Sequence, residues 1–170
     1  MNLRFRLGVW LAALVCWATV SAPEPGRAAA ADEDVAIIVN RANPVNAVSV
    51  ADLRDMLLAE RQHWPDGRRI TLAVRQPGDP GREAMLRIVF KMTEESFTRH
   101  FLHAVFVGQA PSVPRTLMTA NGMRRFVFNV PTAIGYVRLS ELDESIKALR
   151  IDRLAAGQPG YQIKLKATTP

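Results

Sequence analysis

The sequence has almost no cysteine, few aromatic residues and no familiar catalytic pattern. Cys16 is the one cysteine among 170 residues. Aromatic residues make up 7% of the chain, and no basic run is interleaved with them, so nothing favours a nucleic-acid partner. Neither a Gly-x-Ser-x-Gly nor a His-Glu-x-x-His pattern occurs. We therefore predict a protein that is not an enzyme.

The first thirty residues have the pattern of an export signal. Arg4 and Arg6 precede the apolar run 7–20, and the alanines at 28–30 offer a small-residue cleavage site. The uncharged run is shorter than the roughly twenty residues that a membrane-spanning helix needs. Residues 1–30 are therefore predicted to be a cleaved signal peptide. The mature protein is predicted to be periplasmic or otherwise exported.

Cleavage at this position would also remove the cysteine. A lipid anchor on Cys16 is not predicted, because Val15 stands where a lipidated cysteine has a small neighbour. Without Cys16 the mature chain has neither disulfides nor thiol chemistry. Removing residues 1–30 takes away three arginines and one glutamate, so the net charge falls from +6 to about +4. That modest positive charge suits a protein that meets anions.

A strand, a loop rich in glycine and proline, and a helix follow one another in residues 70–90. Apolar residues alternate with small or polar ones from 70 to 74, which predicts a strand. The loop Gln76–Gly81 cannot continue it, because two prolines remove donors and two glycines favour special backbone angles. Asp79 is the predicted N-cap of the following helix, and Pro80 its first residue.

This loop is the predicted binding site. A loop that follows a strand and opens a helix directs free backbone N–H groups and the positive helix end at one spot, which suits an anion. The candidate ligand-binding residues are Arg75, Gly78, Asp79, Gly81 and Arg82. The alternative interpretation is a well-capped helix start, in which the Asp79 carboxylate takes the donors itself.

Strands and helices alternate in the rest of the chain. This order predicts an α/β fold with a mostly parallel sheet and helices on both faces. In such a sheet, the loop Asn40–Asn46 after the first strand would lie at the same edge as the loop Arg75–Arg82. Residues 31–152 are the predicted domain, and residues 153–170 a C-terminal tail or edge strand. The other predicted strands are Val35–Val39, Ala133–Val137 and Ile146–Ile151; helices begin at Ser49 and Thr93, and a shorter one ends near Asn129.

The order of these segments resembles that of one known family. The segments concerned are VAIIVNRANPV, SVADLRDMLLAE, HWPDGRRITLAVRQPGDPGREAM and VPTAIGYVRLSELDESIKALRID. In this order they resemble the substrate-binding proteins of phosphate ABC transporters, which have the type II periplasmic binding protein fold. The likeness covers residues 35–152 and is greatest to short members, which carry about one of the usual two lobes.

The resemblance implies an exported, solute-binding-like protein that binds phosphate or another small anion and is linked to uptake by an ABC transporter. Its implied partners are the transporter permease, a second lobe, or a second copy of the chain. No cofactor is predicted. No metal is predicted either, because His100 and His103 share a helix with metal-binding spacing but have no carboxylate or cysteine on their face.

Family members hold the oxyanion with an arginine followed by a loop of the Asp-Gly-Ser-Gly-Thr type. In this chain the arginine falls on Arg75 and the first loop glycine on Gly78. The other loop positions depart from the family pattern, and Asp79 stands where the family has serine. A carboxylate within about 4–6 Å of a bound phosphate would repel it.

The alternative hypothesis is therefore a non-catalytic accessory or interaction module that kept the fold and lost ligand binding. In that case, the apolar surface that a second lobe normally covers would serve for dimerisation or for docking to a membrane protein.

Overall fold

The computed structural model describes residues 33–165, so the predicted signal peptide lies outside the described residues. Within that range no helix is both long and apolar enough to cross a membrane. The strands are β1 Val35–Asn40, β2 Ala47–Val48, β3 Thr71–Arg75, β4 Arg115–Leu117, β5 Ala133–Arg138, β6 Ile146–Ala148 and β7 Arg150–Ile151. The helices are α1 Val50–Leu57, α2 Pro80–Met85, α3 Glu94–Phe106 and α4 Ala120–Asn129, with a π-helical turn at Leu86–Phe90 and a 3-10 turn at Leu139–Glu141.

Five strands form the central sheet in the order β4-β3-β5-β1-β6. β3 pairs in parallel with both β4 and β5. β1 pairs antiparallel with both β5 and β6, so four strands run in one direction and β1 runs against them. β2 and β7 form a separate parallel pair. The prediction of an α/β fold with a mostly parallel sheet is confirmed.

The direction of β1 corrects one expectation about loop positions. Because β1 is antiparallel to β5, the loop after it, Asn40–Asn46, lies at the opposite end of the sheet from the loop Arg75–Arg82. The prediction that the two loops share an edge is wrong. All six residues of β1 are buried, and an apolar run buried on both faces has the same pattern in either direction.

Helices cover both faces of the sheet, as predicted. Alternate residues of β1 divide between two apolar layers, with Val35, Ile37 and Val39 facing α1, α2 and α3. Ala36 and Ile38 face the other way, towards α4. The period-two geometry of a strand thus makes β1 the centre of both cores.

Helices α1, α2 and α3 begin at the three positions where the sequence predicts a helix start. The side chains of Ser49, Asp79 and Thr93 each accept hydrogen bonds from backbone N–H groups in the first turn of the helix that follows. The helix that begins after Asp79 ends at Phe90, because Lys91 has a left-handed backbone with φ of 54°. Met92 therefore lies beyond the helix.

The C-terminal part differs from the predicted strands. The predicted strand Ile146–Ile151 is two strands in two different sheets, with the buried Leu149 between them. The N–H of Leu149 donates to the carbonyl oxygen of Ile37 in β1. The predicted edge strand near the end forms one bridge, from Asp34 to Lys164. Residues 153–165 are nevertheless part of the main core, since Tyr161 and Ile163 are buried in it.

We expect Gly135→Ala to destabilise the fold. A Cβ at Gly135, in the middle of β5, would lie 2.5 Å from the sulfur of Met123 and 3.6 Å from the Cβ of Ala73. Because Met123, a residue of α4, is fully buried, the added methyl group should lower the free energy of unfolding by about 1–3 kcal/mol in urea denaturation. In a Met123→Ala background the same change should cost clearly less. Equal costs in both backgrounds would contradict this explanation.

Candidate functional site

The loop between β3 and α2 lies at the end of the sheet where β3 and β5 end. Arg75 is the last residue of β3, and Asp79 is the N-cap of α2, so a strand end and a helix start fix the two side chains. Gly78 has φ of +80°, a left-handed conformation that favours glycine. The loop thus brings the Arg75 side chain, the Asp79 carboxylate and the backbone N–H groups of Gly81 and Arg82 together.

The Asp79 carboxylate accepts four hydrogen bonds from this loop. Its Oδ1 accepts from the backbone N–H groups of Gly81, at 2.9 Å, and Arg82, at 3.3 Å. Its Oδ2 accepts from Nε and Nη2 of Arg75, at 3.1 and 2.7 Å. Two helix amides and one guanidinium are the donors that suit a bound oxyanion. In this structure, the negative group that these donors bind is Asp79 itself.

The Arg82 side chain points away from the loop centre towards α3. Its Nε and Nη2 donate to the Glu94 carboxylate at 2.7 and 2.6 Å, and its Nη1 donates to the Arg75 carbonyl at 2.8 Å. The guanidinium also lies 4.7 Å from the centre of the Phe97 ring. Burial acts to lower the pKa of Arg82, but Glu94 and Tyr136 together outweigh it, so that the pKa is raised. Arg82 therefore joins α2 to α3.

Tyr136 supports the loop from the neighbouring strand β5. Its side chain is fully buried, and its hydroxyl accepts the backbone N–H of Arg75 at 3.0 Å. Burial raises the pKa of the Tyr136 phenol, which keeps it neutral. Sequence reasoning missed this residue as part of the site. The available signal was a tyrosine in an otherwise apolar strand, because a buried hydroxyl needs a hydrogen-bonding partner.

One donor of the loop has no partner among residues 33–165. This is Nη1 of Arg75, which is buried, while the whole side chain is 11% exposed. A buried donor without a partner costs free energy, so an added acceptor at this point would be favourable. Nε and Nη2 of Arg75, the backbone N–H groups of Gly81 and Arg82, and the Arg82 guanidinium are bound within the chain. Ligand binding by Arg75, Gly78, Asp79, Gly81 and Arg82 stays a prediction.

The histidines lie away from this loop. Nε2 of His100 is 3.0 Å from the carbonyl oxygen of Leu58, a contact between α3 and the end of α1. Across the part of the chain that the structure describes, no group of three or more histidine, cysteine or acidic side chains is arranged to hold a metal ion.

Several solved structures are similar in fold to this chain, whereas no family model and no curated protein matches the sequence. An ABC-type phosphate transport receptor from Vibrio cholerae matches with a TM-score of 0.60 and 16% identity, over 73% of this chain and 48% of the receptor. PstS from Borrelia burgdorferi matches with a TM-score of 0.60 and 13% identity, over 79% of this chain and 55% of PstS.

A third similar structure is that of a protein assigned as a phosphate ABC transporter substrate-binding protein, from Clostridium perfringens, with bound phosphate. Its TM-score is 0.60 and its identity 20%, over 73% of this chain and 47% of that one. The matched region thus spans about half the length of these proteins. The described part of the chain shares its fold with part of each of these three proteins, and at these identities the likeness concerns the fold alone.

Proposed function

We propose that the protein is an exported, non-catalytic lobe of the solute-binding fold, which acts through another protein and whose anion site is filled by its own Asp79 carboxylate. The observation that supports this is the set of four hydrogen bonds to Asp79 from Gly81, Arg82 and Arg75. A dissolved anion would have to displace a carboxylate that is tethered beside these donors, at an effective concentration of about millimolar or above.

An apolar stripe on α3 supports the part of this proposal that concerns a partner protein. Leu102 is 60% exposed, Val105 36%, Phe106 89% and Val107 45%. The first three lie at i, i+3 and i+4, so they share one face of the helix. Contiguous exposed apolar side chains on a soluble domain mark interaction surfaces. We refer to these four residues as the α3 stripe and assign the partner contact to it.

The second candidate function is weak binding of phosphate or another small anion, linked to uptake through an ABC transporter. The observation that favours it is Nη1 of Arg75, a buried donor without a partner beside the loop amides. If Asp79 rotated away, an anion could take up this donor together with those that Asp79 releases. The similar folds of phosphate-transport proteins agree with this candidate.

Thermal unfolding of the mature protein with and without phosphate distinguishes the two candidates. A ligand that binds the folded state raises the melting temperature by mass action, with about 2.7 kcal/mol of stabilisation at a hundred times Kd. We expect no shift beyond that of a chloride control at about 10 mM phosphate, because Asp79 competes for the donors. A larger shift that is absent in Arg75→Ala, but retained when the exposed Arg150 is replaced by glutamine, would instead support anion binding.

A further inference from the structure

A cleft of about 680 Å³ opens at the end of the sheet where β3 and β4 begin. Its walls come from the end of α1 and the loop after it, the start of β3, the segment 111–116 and one side chain of α4. Its lining includes none of residues 75–82, and Leu72, the last residue of β3 in that lining, stands three residues before Arg75, or about 10 Å at a rise of roughly 3.3 Å per residue. The cleft is therefore a different place on the molecule from the site described above.

The charge of the cleft is positive. Arg61, Arg69 and Arg115 belong to its lining, and no acidic residue does. Arg61 forms an ion pair with Asp52 at 2.7 Å, and Arg69 donates to the side chain of Gln62 at 2.6 Å. Arg115 is exposed and forms neither an ion pair nor a side-chain hydrogen bond within residues 33–165. Its guanidinium is therefore available to an added anion.

The rest of the lining is largely apolar. Ile70 and Met56 are buried, and Leu72 is half-buried. Val113, which also belongs to the lining, is 50% exposed although it is a large apolar residue. Small-molecule sites are clefts of about 300–1,000 Å³ with mostly apolar walls and a few polar groups that orient the ligand. The volume and the lining of this cleft both agree with that description.

We propose that this cleft binds an amphipathic small-molecule anion, with an apolar body and one carboxylate-like or sulfonate-like head group. The head group accepts charge-assisted hydrogen bonds from Arg115 and Arg69, since both lack a carboxylate partner. The body lies on Ile70, Leu72 and Val113, where it removes apolar surface from water. A bare anion would bind the arginines but leave the apolar residues uncovered. A neutral apolar molecule would cover the apolar residues but leave the arginines without an anion.

Two fluorescent probes that share one body test this proposal. 8-Anilinonaphthalene-1-sulfonate has the sulfonate head, and N-phenyl-1-naphthylamine is the same body without it. In titrations of the full mature protein at low salt, we expect Arg115→Gln to weaken binding of the sulfonate probe by about tenfold. Binding of the neutral probe should change less than about twofold, because Arg115 contributes charge rather than apolar surface.

Three further variants complete the experiment, all at exposed positions. Val113→Asp adds a negative charge to the lining and should weaken the sulfonate probe at least as much as Arg115→Gln. Arg150→Gln removes an equal charge elsewhere, and Phe106→Ser interrupts the α3 stripe; neither should change the affinity. The proposal is overturned if Arg115→Gln and Val113→Asp leave the sulfonate affinity unchanged. It is also overturned if either control variant lowers that affinity equally.

Discussion

Replacing Arg82 by methionine is expected to lower the free energy of unfolding by about 2–4 kcal/mol. The Arg82 guanidinium is buried and has three partners: the Glu94 carboxylate, the Arg75 carbonyl and the Phe97 ring. Methionine keeps most of the apolar stem but leaves both oxygen acceptors without their donor. Because the Glu94 side chain is 39% exposed, its carboxylate can regain water, which places the expected cost below that of a fully buried pair.

Urea denaturation measures this change, and Arg99→Met is the matched control. Arg99 also pairs with a glutamate of α3, Glu95, at 2.6 Å, but the two side chains are 71% and 83% exposed. An exposed pair of this kind contributes about 0.5 kcal/mol or less, so the control should be nearly neutral. If Arg82→Met lowered the free energy of unfolding no more than Arg99→Met, the contacts of Arg82 with α3 would not stabilise the fold.

The features that local chemistry determines could be predicted from the sequence. Ser49, Asp79 and Thr93 are helix N-caps because a short polar side chain before a helical segment binds the free amides of the first turn. That contact joins residues two or three positions apart, so the local sequence is enough to predict it. The same reasoning gave the alternative in which Asp79 takes the donors of its own loop, and this arrangement is the one in the structure.

Contacts between distant parts of the chain could not be predicted in this way. Arg82 binds Glu94 twelve residues further on, and Tyr136 binds the Arg75 amide across 61 residues. Neither contact follows from the periodicity of a helix or a strand, because each depends on which elements lie side by side in the fold. The direction of β1 is another case, since a run buried on both faces pairs equally well either way.

The edge strand β4 was missed for a related reason. It has three residues, Arg115–Leu117, of which two are exposed, so it has neither the length nor the apolar alternation of a recognisable strand. Its position beside β3 pairs Arg115 with Ala73, the middle residue of that strand, although the two are 42 residues apart along the chain. The cleft therefore has no sequence signature, because its walls come from segments that only the sheet brings together.

Replacing Asp79 by serine is expected to give the loop a measurable affinity for phosphate. Serine is as good an N-cap as aspartate, so the helix start should persist. The change removes a negative charge from the place where the anion would lie and releases the Arg75 guanidinium. A like charge at about 4 Å costs about 4 kcal/mol at an effective dielectric constant near 20. Calorimetric titration should therefore show binding at least about a hundredfold tighter than in the unsubstituted protein.

Two controls determine whether the gain comes from the loop. Asp66→Ser removes the same charge from an exposed turn, where Asp66 pairs with Arg68, and should leave phosphate binding unchanged. The double variant Asp79→Ser with Arg75→Ala should lose the gained affinity, because Arg75 provides the charged donors. If Asp79→Ser binds no phosphate at millimolar concentration, the internal carboxylate is not what keeps anions out. The hydrogen bonds of Asp79 would then serve only to start α2 and to hold the end of β3 against it.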